Sequence, residues 1–260
     1  MDLFLQNKVI LVTGGAKGIG EGIVRSLADE GAIPVILGHN KEDNQKLVTE
    51  LFAAGKEAFE IEVELTLPEE CRIAVGKAIS KYGRIDGLVN NAGINDGVGL
   101  EKGNYELFMQ SLHRNLVHYY MIAHFALEEL KKSKGAIVNI TSKTAETGQG
   151  NTSAYAASNG GRNALTREWA VELLKYDIRV NAISVAECWT PLYQNWINTL
   201  PDPEEKLRHI SSKIPLGKRM TTPKEIADMA VFLLSSRSAH TTGEIIHVDG
   251  GYVHLDRSIA

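Results

Sequence analysis

A chain of 260 residues, 43% apolar and 23% charged, is long enough for one large α/β domain with a substantial core. Its net charge of −4 is spread without blocks of like sign, which leaves no footprint for nucleic acid or an anionic membrane. No apolar run reaches the length that crosses a bilayer, and the N-terminal M-D-L-F-L-Q-N-K has an acid at its second position and no signal-peptide core. Cys71 and Cys188 lie far apart without metal-type spacing, the eight histidines form no ligand pattern, and a reducing, cytoplasmic setting without a metal is expected.

The first apolar run, Lys8 to Thr13, breaks into T-G-G-A-K-G-I-G, and helical spacing of apolar residues follows from Ile19 to about Glu30. Strand, glycine-rich turn and helix in that order suit a phosphate-binding unit. Gly14, Gly18 and Gly20, with Lys17 and Ile19 between them, would bring backbone close to a pyrophosphate at the helix N-terminus. Ile33 to Leu37 reads as the second strand, with Pro34 predicting an irregular start or an edge position. Gly38-His39-Asn40-Lys41 follows it and lacks the acid that binds ribose hydroxyls in NAD-selective sites. His39, Asn40 and Lys41 could accept a ribose phosphate or form a solvated loop, and the reading leans to NADP over NAD.

A helix (42–54), a strand (58–63) and a helix opened by Pro68 and running to Tyr82 come next. The strand 86–89 leads into Asn90-Asn91-Ala92-Gly93, a polar turn at the kind of strand end where open α/β sheets bind ligands. The helical stretch 105–132 carries Asn115, a poor mid-helix residue that a bond to neighbouring backbone or to water would explain. A strand (135–140) then ends in Thr141-Ser142. After a helix and the strand 178–183, the proline-broken, aromatic segment 190–215 reads either as a lid or as a packing insertion. A helix (223–234) and a strand (244–248) close the pattern. Alternating strands and helices in one domain imply a parallel, doubly wound sheet.

Chemistry concentrates in S-K-T-A-E-T-G-Q-G-N-T-S-A-Y-A-A-S-N, from Ser142 to Asn159. Tyr155 and Asn159 are four residues apart and share one helix face. A free tyrosine titrates near ~10 and needs a positive charge or strong hydrogen bonds to serve as a base at neutral pH. One turn on is the natural place for that charge, and it holds an asparagine.

The order T-G-G-A-K-G-I-G, N-N-A-G, Asn115, Ser142, Tyr155 and V-D-G-G resembles the short-chain dehydrogenase/reductase family over nearly the whole chain. The resemblance implies a single Rossmann-type domain spanning 1–260, a nicotinamide cofactor and a dimer or tetramer. It makes Tyr155 the acid/base, Ser142 the holder of the reacting oxygen and Asn115 the support of a proton-relay water. It sets Gly14, Gly18, Ile19 and Gly20 at the pyrophosphate and Glu64-Leu65 against the adenine. Asn91, Ala92 and Gly93 would flank the cofactor, and Thr190 would bond the carboxamide. Two departures stand out: the family's Tyr-x-x-x-Lys ends here in Asn159, and its Pro-Gly pair is replaced by Val185-Ala186, followed by Glu187.

Within that family, S-K-T-A-E-T-G-Q-G-N-T-S-A-Y, E-W-A-V, T-P-L-Y-Q-N-W-I and the C-terminal H-T-T-G-E…V-D-G-G-Y-V-H-L-D-R are similar to bacterial L-fucose dehydrogenases. This implies oxidation of a pyranose at its anomeric carbon to a lactone. Lys143, Gln149, Asn151 and Glu187 are the candidates to hold the sugar, with Glu146 and the Asn95-Asp96 turn as further polar partners. Two other readings stay open: a reductase of an oxoacyl thioester, steroid or other carbonyl compound, or a nucleotide-binding sensor silenced by Asn159.

Overall fold

The computed structural model describes residues 2–255, so Asp256 and Arg257 of the C-terminal stretch lie outside the described residues. Seven strands form one parallel sheet in the order β3-β2-β1-β4-β5-β6-β7: β1 (Val9–Thr13), β2 (Ile33–Gly38), β3 (Phe59–Glu62), β4 (Gly87–Asn90), β5 (Ala136–Ser142), β6 (Arg179–Val185) and β7 (Ile245–Val248). Alternation along β1 sends Ile10 and Val12 to one face and Val9 and Leu11 to the other. The first face packs against α1 (Gly18–Asp29), α2 (Lys41–Ala53) and α9 (Pro223–Leu234). The second packs against α3 (Pro68–Tyr82), α5 (His118–Ser133) and α6 (Ser153–Glu172). Burial on both faces is why the strands read as continuous apolar runs.

Local chemistry sets the element ends. α3 opens with Pro68 in its first turn and stops at Gly83, whose φ of 68° is the left-handed cap glycine favours. In α9, Thr222 and Glu225 form a reciprocal capping box. The order of strands reverses between β1 and β4, so the crevice for a ligand lies over the carboxyl ends of these two strands.

Two expectations change. Pro34 is in register with Ile10 inside the sheet, and β2 is not an edge strand. The Ile33 N–H donates to Lys8 O of the chain entering β1, so Pro34 faces the other side, where β3 begins only at Phe59 opposite Val35. Its missing N–H therefore interrupts no ladder. The stretch 105–132 is not one regular helix: α4 (Tyr105–Leu112) passes through a π-turn at His113–Val117 into α5. Segment 190–215 holds two short helices, α7 (Pro191–Ile197) and α8 (Pro203–Ser212), which pack on each other.

Candidate active site

Each candidate segment hangs from the carboxyl end of a strand. The turn after β1 fits a pyrophosphate. Gly14 (φ 62°) and Gly18 (φ 58°) adopt left-handed backbone, and a Cβ on Gly20 would overlap the Gly14 carbonyl. Lys17 caps α1 without a side-chain bond, leaving the first N–H groups free for an anion. A Cβ on Gly18 would come 3.3 Å from Thr190, so α7 begins directly over the turn; the Thr190 hydroxyl accepts from Tyr193 N at 3.2 Å.

Asn91 ties the neighbouring turn down. Its amide donates to Thr13 O at 2.9 Å and Gly14 O at 3.2 Å, and the Thr13 hydroxyl accepts from the N–H groups of Asn91 and Ala92. At the end of β2, Asn40 spends its side-chain oxygen capping α2 through Asp43 N, while His39 is exposed. The Lys17 ammonium reaches across to Asp43 at 2.6 Å. After β3, burial alone would raise the Glu64 carboxyl, but the Thr66 hydroxyl and N–H hold it below its usual range; Leu65 beside it is half-buried.

Ser142 ends β5 beside Val185 of β6, and α6 packs on the turn that follows it. Tyr155 lies in the first turn of α6 and is half-buried. One turn on, the fully buried Asn159 donates to Tyr155 O at 2.8 Å. Its oxygen accepts from Arg162 at 3.0 Å. Arg162 also donates from Nε to Asn115 O at 2.6 Å and from Nη1 to Ile140 O at 3.2 Å, and its guanidinium lies 4.3 Å from the centre of the Tyr119 ring. The π-turn is what exposes that carbonyl, because widening the turn frees backbone oxygens from the helix ladder. The Asn115 side chain spans Ser111 O and the Ile94 N–H, at 3.0 and 2.8 Å, and so bonds backbone on both sides. Arg162 was absent from the sequence candidates. Its signal was a basic residue two turns beyond Tyr155 on the same helix face.

Beyond Ser142, Lys143 and Glu187 form an ion pair whose side chains are 10% and 12% exposed. Lys143 lies 4.2 Å from the centre of the Tyr252 ring, and Glu187 accepts from the Tyr193 hydroxyl, whose ionisation is pushed up by burial and then by that carboxylate. The Val185-Ala186-Glu187 backbone is held by a bridge between Cys188 and Thr221 and by Thr221 N donating to Glu187 O. Gln149 and Asn151 are not brought to this pair by any contact; both lie exposed on the loop before α6, Asn151 with φ 54°. Asp96 accepts from Ser111, and Glu146 bonds His247 at 2.8 Å. His247 turns its other nitrogen to His254, so Glu146, His247 and His254 form a hydrogen-bonded chain that neither composition nor spacing foretold.

A glycine cradle over a helix N-terminus, beside a serine, a tyrosine and a buried polar pair at the carboxyl edge of a doubly wound sheet, defines a dinucleotide-dependent oxidoreductase. The family model described as enoyl-(acyl carrier protein) reductase matches residues 14–253. The chain belongs to the short-chain dehydrogenase/reductase family. It is 36% identical over 245 residues to the L-fucose dehydrogenase of Oryctolagus cuniculus, covering 94% of this chain and 84% of that one. The crystal structure of the Cj0485 dehydrogenase is similar with a TM-score of 0.94 and 46% identity, over 99% of this chain and 98% of that one. Ligand-free aldohexose dehydrogenase of Thermoplasma acidophilum is similar with a TM-score of 0.88 and 29% identity, over 97% and 96% of the two chains.

Proposed function

We propose that this dehydrogenase oxidises the anomeric hydroxyl of a pyranose such as L-fucose to a lactone. The observation that carries it is the Lys143–Glu187 pair with its two tyrosines, Lys143 directly following Ser142 and Glu187 lying three residues before Thr190. Desolvating an ion pair costs several kcal/mol per ion, which makes this wall unsuited to an apolar substrate. It offers hydroxyl groups a fixed donor and a fixed acceptor in a site of low dielectric. In this reading Tyr155 takes the proton of the anomeric hydroxyl while Ser142 holds its oxygen, and the C1–O bond becomes a carbonyl. A nicotinamide dinucleotide with its pyrophosphate in the glycine cradle would supply the acceptor for the two electrons and the hydrogen leaving C1. NADP is the proposed form, supported by the absence of an acid at the end of β2 and by Lys17 reaching toward α2.

The names of the similar L-fucose and aldohexose dehydrogenases support the sugar. Exposed Tyr105, Leu107 and Tyr120 on α4 and α5 support a dimer or tetramer of this chain. Two buried free cysteines, Cys71 and Cys188, support a cytoplasmic setting, and no helix among the described residues is long and apolar enough to cross a membrane. One feature favours a second reading, a carbonyl reductase with an apolar substrate: Trp189, Leu192 and Trp196 are exposed at and along α7. The test is NAD(P)H formation with L-fucose and a panel of aldoses, for the parent and Glu187→Gln. Turnover in the parent, with a KM for sugar raised at least tenfold in the variant, is expected. No turnover with any aldose, alongside turnover of a carbonyl substrate, replaces the first reading by the second.

A further inference from the structure

Arg162 is 3% exposed, and every group that accepts from it is neutral: Asn115 O, Ile140 O and Asn159 Oδ1. Among the described residues no carboxylate pairs with it, and its Nη2 is buried without a hydrogen-bond partner. That nitrogen lies under the turn after β4, since a Cβ on Gly93 would come within 2.7 Å of it. An unpaired buried cation is costly unless negative charge meets it.

The other charged and titratable groups around it do not meet this need. From α5, His118 is 1% exposed and kept neutral, its ionisation pushed down to about 3 by burial and by Arg162 itself. Tyr119 from α5 is fully buried, donates to Ile140 O and stays protonated because burial raises its ionisation. Lys143, after β5, is paired with Glu187, after β6. The Arg162 guanidinium lies 4.3 Å from the centre of the Tyr119 ring, and Asn159, which accepts from it, bonds the Tyr155 carbonyl. Helical side chains lean toward the N-terminus, and the bond from Arg162 to Asn159 shows the guanidinium doing so, back toward Tyr155.

We infer that Arg162 is a positioning residue that supplies, from two turns along α6, the positive charge missing at position 159. Asn159 is then a spacer: it accepts from the guanidinium and donates to the Tyr155 carbonyl, holding the charge near the tyrosine. A unit charge held near a phenol in a buried site changes its tyrosinate population ~10-fold or more.

The inference rests on Tyr155 being the base of the proposed dehydrogenase, so the test has one arm that needs neither substrate nor cofactor. Arg162→Gln, Arg162→Lys and the double variant Asn159→Lys/Arg162→Met are compared with the parent. The first arm is the pH profile of kcat with L-fucose. The second is tyrosinate absorbance against pH, corrected with the matching Tyr155→Phe proteins. Removing the charge makes tyrosinate harder to form, so Arg162→Gln is expected to lose ~10–100-fold in kcat at neutral pH and regain it as pH rises. Its Tyr155 absorbance is expected at higher pH than in the parent, and both changes reverse in Arg162→Lys and in the double variant. A folded Arg162→Gln with an unshifted profile and unshifted absorbance overturns the inference, as does lost activity with unshifted absorbance, the mark of a structural role. Should Arg162→Gln not fold, a folded double variant lacking the parent's absorbance curve overturns it. Should no aldose turn over in the parent, the sugar reading fails and the absorbance arm still decides.

Discussion

The Asn159 side chain has its amide on the Tyr155 carbonyl and its oxygen on the Arg162 guanidinium. A lysine at this position loses that acceptor and sets a second cation against the first in a fully buried place. Restoring the family's lysine alone is therefore expected to lower Tm by ~4–10 °C, whereas Asn159→Lys with Arg162→Met stays close to the parent. Thermal unfolding of the two variants checks this, and a single variant as stable as the parent refutes it. The Lys143–Glu187 pair follows the same rule. Lys143→Met leaves a buried carboxylate and is expected to cost ~3–5 kcal/mol, while adding Glu187→Leu recovers most of that loss. Denaturant titration measures both, and a double variant no more stable than Lys143→Met would refute this. The missing lysine was legible in the sequence; its replacement was not. A basic residue on a helix reads as solvated, and only the π-turn, the end of β5 and the Tyr119 ring, distant in sequence, make a cage of that spot.

α9 shows how an element's ends respond to pH. Its capping box uses the Glu225 carboxylate, which bonds Arg219 and accepts from Thr222 N at 2.8 Å and Thr222 Oγ1 at 3.0 Å. The Arg219 guanidinium first, and then the Thr222 backbone, pull this carboxyl from 4.5 down to about 2. A depressed folded value means that the contribution is complete above 4.5 and disappears as pH falls through about 2. The Tm difference between the parent and Glu225→Gln is accordingly expected to be full near neutrality and to shrink across that window. A difference constant with pH would assign the cap's worth to packing instead. The bounds of α9 and of α3 were legible, because proline and threonine or a left-handed glycine mark them. The π-turn was not, since the groups that hold it are distant in sequence: Arg162 bonds the Asn115 carbonyl, and the Ile94 N–H bonds the Asn115 side chain.

Across the whole molecule, the sheet order brings the turns after β1, β2 and β3 to one side of the crevice and those after β4, β5 and β6 to the other. On the proposed reading the first side takes the nucleotide, and the Lys17 side chain links two of its turns, running from the glycine cradle to Asp43 of α2. With its side chain 62% exposed, this ion pair contributes only ~0–1 kcal/mol to stability. The ammonium is therefore free to exchange the Asp43 carboxylate for a ribose phosphate of higher charge, a gain that NAD cannot offer. Lys17→Ala is expected to weaken NADP binding about tenfold, ~1.4 kcal/mol, and to leave NAD nearly unchanged. Thermal shift with each cofactor reads this without any substrate, because a ligand at 100 times its Kd adds ~2.7 kcal/mol to the folded state. The parent should then show the larger shift with NADP, and the variant equal shifts with both. A parent that responds alike to NAD and NADP, or a variant that keeps the difference, would move the ribose phosphate away from Lys17 and leave His39 and Lys41, at the end of β2 and the start of α2, to account for any preference.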